Sequence, residues 1–365
     1  MLGNFFYSPV SLLLFFVGVL SITPRSNSIT WPEMFSRILV LLVLTLLIGL
    51  RTIESGPDTE AYRYFFESVN AGKELEFDDI GFIGLAYFIN AFTSDSKVFI
   101  IFVFLIQFLL IFLSLQKLDV KNISLFIMTF VFLMPGFDLI TNTIRQGLSI
   151  TIGMLAITYY LRTKIKLSIV VFLCSMLVHT SSILFLFIFL FRSSIWNKLF
   201  NKLIFLSIVT FVLSNFLNAS VAEFMHSLNF PGTLGLLANK LYNYEAYNDG
   251  RLSGLYKVYF FVLYVFPVYL YVNHPSGRDK IKRDRNNSSM IAFYLFILLI
   301  YAVISKGTFS FRVLYVIYPI LICILTQLYF IYGKKYRALF SLAVLISGLL
   351  VLDSSQMSYF TFGVD

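Results

Sequence analysis

Residues 98–115 read VFIIFVFLIQFLLIFLSL and contain no charged side chain. An α-helix of about 20 apolar residues spans the hydrocarbon core of a bilayer, so this stretch predicts a membrane-crossing helix. Similar runs recur along the chain, each bounded by charged residues, Pro, Gly or Asn. The other runs are Phe5–Ile22, Phe35–Leu50, Ile80–Phe92, Ile123–Met134, Leu139–Leu161, Leu167–Phe191, Leu203–Leu217, Leu255–Val272, Met290–Ile304, Val313–Ile331 and Ala338–Leu352. Together they predict an all-α, polytopic membrane helix bundle of roughly ten or more transmembrane or re-entrant helices.

The composition agrees with this fold class. The 365 residues are 58% hydrophobic and 13% charged, with a mean hydropathy of +0.84. A soluble domain carries about 25% charged residues, so little of this chain is suited to form one. We therefore expect a single integral membrane domain over residues 1–365, with Phe5–Ile22 as its first span because no basic residue precedes it.

Charged loops predict the orientation of the helices. The net charge of +9 reflects basic loops, which lie on the cytoplasmic side of membrane proteins, and no nucleic-acid motif accompanies it. The loop 274–289 is basic and is predicted to be cytoplasmic, as is the turn at Arg162, Lys164 and Lys166 with Lys117. The acidic loop 54–79 and the loop 218–254 then lie on the opposite side.

Two runs conflict with this orientation. The short run Ile80–Phe92 is predicted to be interfacial or re-entrant. The long run Leu167–Phe191 either breaks into two arms near His179, which we favour, or the loop 218–254 dips into the membrane. Irregular backbone at membrane depth is tolerated only where protein or a water-filled cavity covers it, so both conflicts predict a cavity on the non-cytoplasmic side.

Polar groups inside apolar runs are the candidate functional residues, because an ionisable group there is costly. Asn142, Arg145, Gln146 and Ser149 recur at helical spacing and predict one polar stripe on a single span. The planar guanidinium of Arg145 offers donors suited to phosphate oxygens. The alternative is an arginine that reaches for the outer interface.

Two further candidates lie later in the chain. His179 shares a predicted helical face with Ser175 and Ser182, and a histidine there either holds a pyrophosphate, relays a proton, or is simply satisfied by the neighbouring hydroxyls. Arg312 aligns with Tyr315 along one helix face, and its alternative role is that of an anchor at the outer interface.

The predicted outer loops add complementary groups. Asp58 and Asp79 lie beside turn residues and the membrane, which makes them better candidates for a fixed base than the other acids of the loop 54–79. Lys240 and Tyr242 belong to the loop 218–254, where tyrosine rings suit sugar stacking or simply line the interface. The chain has no Gly-rich phosphate loop, HExxH, CxxC or GxGxxG motif, which excludes an ATP-driven pump and a Rossmann enzyme.

These motifs together resemble the EpsG-like branch of the Wzy-type O-antigen and exopolysaccharide polymerases. The resemblance rests on Gly56-Pro57-Asp58-Thr59 with Tyr62, Asp79-Ile80-Gly81-Phe82, Asn142-Thr143-Ile144-Arg145-Gln146, His179-Thr180-Ser181, and Phe311-Arg312 with Tyr315. It covers most of the chain in the expected order.

The resemblance implies a multi-pass glycosyltransferase of the bacterial inner membrane. Such an enzyme joins undecaprenyl-pyrophosphate-linked oligosaccharides on the extracytoplasmic side and releases lipid pyrophosphate, with neither metal nor other cofactor. Arg145 and Arg312 would stabilise the pyrophosphate, and His179 would assist or act as base. Asp58 and Asp79 are the other candidate bases, and a chain-length regulator is a further possible partner.

Three other functions fit the pattern less well. A flippase of lipid-linked sugars should show paired repeats with matching Gly or Pro breaks, and none is evident. An O-antigen ligase shares the lipid pyrophosphate chemistry but uses a different acceptor. A structural subunit of an export complex has little need for Arg145 and His179 at membrane depth.

Overall fold

The structure is a computed structural model that describes residues 58–73, 79–118, 123–191, 198–216, 226–228, 254–304 and 312–332, with residues 38 and 235. Over these residues the chain is helical and contains no strand. The predicted all-α class is therefore confirmed for this part of the chain. The predicted runs Phe5–Ile22 and Ala338–Leu352 and nearly all of Phe35–Leu50 and of the loop 218–254 lie outside the described residues.

The chain divides into two compact units, Met1–Ile183 with Tyr332–Asp365, and Leu184–Ile331. The helices of the first unit are α1 (Thr59–Asn70), α2 (Ile80–Asn90), α3 (Ser96–Lys117), α4 (Ile123–Phe132), α5 (Met134–Thr141), α6 (Ile144–Leu161) and α7 (Ile165–Val178). A 3₁₀ helix, Thr180–Phe191, follows α7. The second unit contains α8 (Phe200–Phe216), α9 (Gly254–Asn273), α10 (Pro275–Arg283), α11 (Arg285–Ile304), α12 (Arg312–Tyr315) and α13 (Tyr318–Ile331).

Among the described residues, two helical segments are long enough and apolar enough to cross a membrane, Ser96–Lys117 and Asn286–Ile304. Other apolar helices, such as Ile80–Asn90 and Ile165–Val178, have only 10–17 residues. Roughly ten crossings therefore stay a prediction.

Helix α1 lies within the stretch predicted as an acidic loop. Its apolar residues Tyr62, Phe65, Phe66 and Val69 follow the i, i+3, i+4, i+7 spacing of one helix face and are buried. Phe66 stacks on Phe99 of α3 with ring centroids 4.6 Å apart. An amphipathic helix packed on the bundle therefore replaces much of the expected solvated loop.

Helices α6 and α7 form an antiparallel pair joined by the basic turn 162–164. Ser168 donates to the carbonyl of Ala156 at 2.8 Å, and Ser175 donates to the carbonyl of Ser149 at 2.7 Å. Small hydroxyl side chains let two helices approach closely and hydrogen-bond across the seam. Arg162 donates from Nε to the carbonyl of Lys117 at the end of α3, so the basic residues predicted to share one side do meet at one end of this unit.

The second unit is held together by aromatic packing. Phe211 of α8 stacks on Phe261 of α9 with ring centroids 4.0 Å apart and an interplanar angle of 4°. Tyr294 of α11 donates its hydroxyl to the carbonyl of Tyr264 at 2.8 Å. An apolar groove of about 760 Å³ lies between α8 and α9.

One glycine sets the distance between α2 and α7. A Cβ at Gly81 would lie 2.9 Å from the backbone carbon and oxygen of Leu177, whereas a Cβ at Gly84 would have nothing within 4 Å. We expect Gly81→Ala to destabilise the protein by about 1–3 kcal/mol, the usual effect of overpacking. Gly84→Ala is the matched control on the same helix, and it should be neutral or stabilise by up to about 1 kcal/mol through helix propensity.

Thermal unfolding of the two variants is compared in detergent, and size-exclusion chromatography measures the fraction that remains folded. Gly81→Ala should lower the unfolding midpoint and Gly84→Ala should not. Equal midpoints for the two variants would show that α2 and α7 separate without cost, contrary to this packing.

Candidate functional site

An ion pair links two candidates that lie 66 residues apart in sequence. Arg145 Nη1 lies 2.6 Å from Asp79 Oδ2, and the side chains are 23% and 12% exposed, respectively. Such a pair is less screened than one at an open surface, and a charged hydrogen bond is stronger than a neutral one. The first turn of α6 is thereby joined to the residue that precedes α2.

Tyr62 of α1 forms one wall beside this pair. Its ring centroid lies 6.0 Å from Cζ of Arg145, and its side chain is buried. Burial raises the pKa of Tyr62 and outweighs the opposing effect of the Arg145 charge, so the phenol remains protonated at neutral pH. Asp58, the N-cap residue of α1, also acts electrostatically on Tyr62.

The position of Asp79 explains why its carboxylate reaches Arg145. Asp79 is the N-cap residue of α2, yet its side chain makes no capping hydrogen bond. An aspartate at this position usually accepts from backbone N–H groups of the first turn. The carboxylate therefore turns away from its own helix toward α6, and the close approach of Gly81 to Leu177 sets α2 against the end of α7.

His179 ends α7, as the favoured interpretation of the run Leu167–Phe191 predicted. Its backbone is extended, with φ −161° and ψ 130°, and the 3₁₀ helix begins at the next residue. Nδ1 accepts a hydrogen bond from the backbone N–H of Ser181 at 3.2 Å. Since a backbone N–H can only donate, the proton of the neutral ring lies on Nε2.

Ser149 connects His179 to the helix that carries Arg145. It lies one turn after Arg145 on α6, and its hydroxyl lies 3.4 Å from the carbonyl of His179 and 3.1 Å from that of Ser175. Its hydroxyl also contacts that of Ser182. The predicted face of Ser175, His179 and Ser182 is therefore not continuous helix, because the chain breaks at His179, but the two serines still meet at Ser149.

The predicted stripe of Asn142, Arg145, Gln146 and Ser149 is wrong in one respect. Asn142 is the C-cap residue of α5 and does not share a helix with the other three, because the run Leu139–Leu161 breaks at Asn142 and Thr143. The Asn142 amide donates to Asp138 Oδ1 at 2.9 Å. Gln146 lies on α6 and is buried.

Asp138 and Gln107 are two polar residues near this site that were not among the predicted candidates. Both are buried, and Gln107 of α3 donates to the carbonyl of Ile144 at 2.9 Å. The signal was present, since Asp138 and Gln107 are polar residues beside or within apolar runs and such residues are functional candidates.

The remaining candidates lie in the second unit or outside the described residues. Arg312 and Tyr315 form the one-turn helix α12 of the second unit, where Tyr315 is buried. Lys240 and Tyr242 lie outside the described residues. Convergence of Arg312 on Arg145 and His179 stays a prediction.

We refer to Tyr62, Asp79, Arg145 and His179 as the Arg145 cluster. It combines a partly exposed cation, a carboxylate beside it, an aromatic wall, and a histidine whose backbone carbonyl lies by Ser149, one turn after Arg145. A partly buried guanidinium is suited to bind and stabilise a phosphate-like anion. The carboxylate is suited to accept a proton from a hydroxyl within hydrogen-bond reach.

Comparison with known proteins gives one result at the level of family. The sequence matches the EpsG family over residues 34–360, nearly the whole chain. No curated protein and no solved structure matches it. The family and the apolar helices indicate a membrane protein with a polymerase-like role in polysaccharide synthesis. The chain belongs to the EpsG family.

Proposed function

We propose that the protein is a polysaccharide polymerase of the bacterial inner membrane. It joins oligosaccharide repeat units carried on undecaprenyl pyrophosphate at the extracytoplasmic side. The growing chain is the donor, a new lipid-linked unit is the acceptor, and lipid pyrophosphate is released. This proposal refines the role of the family with a substrate class and a reaction.

The observation that carries the proposal is the ion pair between Arg145 and Asp79. Arg145 is held at the first turn of α6, and its side chain is 23% exposed, so a ligand can reach it from one side of the ion pair. A carboxylate already occupies Nη1 at 2.6 Å, which marks the position as one where an anionic oxygen fits. A pyrophosphate oxygen has the same charge and hydrogen-bonding capacity as this carboxylate oxygen.

In the proposed reaction, the acceptor hydroxyl oxygen attacks the anomeric carbon of the donor sugar. The bond between that carbon and the pyrophosphate oxygen breaks, and its electron pair stays on the pyrophosphate. Arg145 stabilises this developing charge, which is the usual role of a preorganised cation. The hydroxyl proton passes to Asp79, which the pyrophosphate displaces from Arg145.

His179 has a defined part in this step. Its Nδ1 accepts from the Ser181 N–H, so the remaining ring nitrogen Nε2 carries the proton. We assign His179 as a hydrogen-bond donor to the leaving pyrophosphate rather than as the base. The roles of Arg312 as a second cation and of Lys240 and Tyr242 as sugar contacts stay predictions from the sequence.

Gene deletion followed by electrophoresis of the surface glycolipid tests the proposed function. Loss of a polymerase leaves single repeat units on the carrier or core, and restoring the gene restores the ladder. Loss of even the single unit would favour a flippase or a ligase instead. An unchanged ladder would exclude all three functions.

The choice of proton acceptor has its own test. His179→Gln keeps a hydrogen-bond donor but cannot be a general base, whereas His179→Ala loses both roles. We expect His179→Gln to retain measurable polymer and His179→Ala to lose about tenfold or more in rate, since a hydrogen bond to a charged group contributes about 1.5–3 kcal/mol. An equal loss of polymer in the two variants would indicate that His179 is the base.

A further inference from the structure

Asp138 is a buried carboxylate that the proposed reaction does not use. It lies on α5 and is 8% exposed. Its Oδ1 accepts from the Asn142 amide at 2.9 Å, and its Oδ2 lies 3.5 Å from the Thr143 hydroxyl. Its backbone carbonyl accepts the N–H groups of both Asn142 and Thr143 at 2.9 Å.

These bonds determine where α6 begins. Asn142 and Thr143 are the two residues between α5 and α6, and Thr143 is the N-cap residue of α6 without a side-chain cap of its own. Their polar groups turn back to Asp138 instead of extending the helix. Arg145 is the second residue of α6, so the direction of its side chain depends on this junction.

Two other contacts hold the same junction. Gln107 donates to the carbonyl of Ile144 at 2.9 Å. A Cβ at Gly147 would lie 2.0 Å from the carbonyl oxygen of Leu139, so the backbone of α5 passes directly against the first turn of α6. The junction is therefore fixed from three sides, and Asp138 is its one charged component.

We infer that Asp138 is a positioning residue for Arg145. Its carboxylate and carbonyl hold the break between α5 and α6 so that the Arg145 guanidinium faces Asp79 and the anion. The role in catalysis rests on the proposed function, whereas the role in fixing the first turn of α6 does not. Asp138 acts through its hydrogen bonds to Asn142 and Thr143.

Hydrogen–deuterium exchange of the full-length protein in detergent tests the structural part, and the polymer ladder in cells tests the catalytic part. Asp138→Asn keeps an acceptor for Asn142 and gains a donor for Thr143, so exchange at residues 143–147 and the ladder should stay close to wild type. Asp138→Ala should accelerate this exchange about tenfold or more, because hydrogen bonds to a charged group are lost, and should shorten the ladder. If the negative charge of Asp138 were required, Asp138→Asn would lose polymer as Asp138→Ala does. A normal ladder in Asp138→Asn therefore supports a role through hydrogen bonds.

A matched control removes a buried hydroxyl at the other end of the same helix. Thr158 donates to the carbonyl of Met154 at 2.9 Å, and Thr158→Ala should leave exchange at residues 143–147 and the ladder unchanged. Thr143→Val is a milder variant for the case in which Asp138→Ala does not accumulate, and it should accelerate the same exchange by about fivefold, the effect of one neutral hydrogen bond.

Three results would overturn the inference. Unchanged exchange in Thr143→Val or Asp138→Ala would show that Asp138 does not hold the junction. Equal loss of polymer in Asp138→Asn and Asp138→Ala would show that the charge matters instead. Faster exchange with a normal ladder would show that the junction does not serve polymerisation, and a normal ladder in Arg145→Ala would refute the proposed function separately.

Discussion

Arg145→Ala is expected to abolish long polymer while the protein remains in the membrane at a normal level. The guanidinium is the cation that we assign to the leaving pyrophosphate, and removal of one preorganised group of this kind typically lowers the rate by about 10²–10³. Arg145→Lys keeps the charge but loses the planar array of donors, so we expect only partial recovery. The measurement is the glycolipid ladder, normalised to the amount of protein in the membrane.

Arg162→Ala is the matched control for this prediction. Arg162 caps the far end of the same helix, is exposed, and donates to the carbonyl of Lys117. Its loss should leave the ladder intact, since an exposed polar contact contributes little. A full ladder in Arg145→Ala would remove Arg145 from the reaction.

A loss of polymer in Arg145→Ala alone has a second possible origin, because Asp79 is then left without its cation. Breaking one half of a buried pair destabilises a protein more than removing both charges. The variant with both Arg145→Ala and Asp79→Asn removes this effect. We expect it to have at least the protein level of Arg145→Ala. The readout of this variant is the protein level alone, because loss of the Asp79 base removes polymer by itself.

The sequence predicted the break at His179 for a physical reason. An unbroken span over Leu167–Phe191 conflicts with the orientation that the charged loops predict, so the run was expected to break near its central polar residue. The structure confirms the break, since α7 ends at Val178 and His179 is extended. Sequence could place this break because the charged loops predict the orientation and His179 lies at the centre of the run.

The stripe through Asn142 was only partly predictable. Helical spacing assumes that the helix continues, but Asp138 offers the side chains of Asn142 and Thr143 a competing set of hydrogen bonds. Side chains of this kind often end helices. Asp138 itself is visible in the sequence as an acid directly before the apolar run Leu139–Leu161.

Helix α1 was not predicted, although its apolar residues have the full spacing of one helix face. Tyr62, Phe65, Phe66 and Val69 have the spacing of a buried helix face, but the surrounding acids led to the interpretation of a loop. Composition and periodicity point in different directions here, and periodicity is the better guide when the apolar positions fall on one face.

The pairing of Arg145 with Asp79 could not be derived from sequence alone. The two residues were both predicted as site residues, but 66 positions separate them, and no local pattern specifies which carboxylate meets which cation. The contact depends on tertiary packing, in which Gly81 lets α2 approach the end of α7. For the same reason, the predicted convergence of Arg312 stays open to experiment.

Asp79→Asn is the second large effect that we expect. The amide of Asn cannot accept a proton. If Asp79 is the base, this substitution lowers the rate of polymerisation by about 10²–10⁴. The amide still offers an oxygen to Arg145, so the protein level should change little. The ladder and the membrane level are measured together.

Glu60→Gln is the control for a general effect of negative charge in this segment. Glu60 lies in the first turn of α1 and is exposed, so its neutralisation should leave the ladder unchanged. A normal ladder in Asp79→Asn would move the base to Asp58 and leave Asp79 only as the residue that holds Arg145.

Exchange of the two charges separates these roles most directly. The variant with Asp79→Arg and Arg145→Asp places the cation before α2 and the anion on α6, so it re-forms an ion pair with reversed direction. An ion pair that only ties α2 to α6 works equally well in either direction, and the exchange would then restore both protein level and polymer. A cation that must face the pyrophosphate from α6, with a base opposite it, does not tolerate the exchange. We therefore expect the exchanged protein to accumulate better than either single variant and to make no long polymer, because stability needs only opposite charges whereas the reaction needs each charge in its own place.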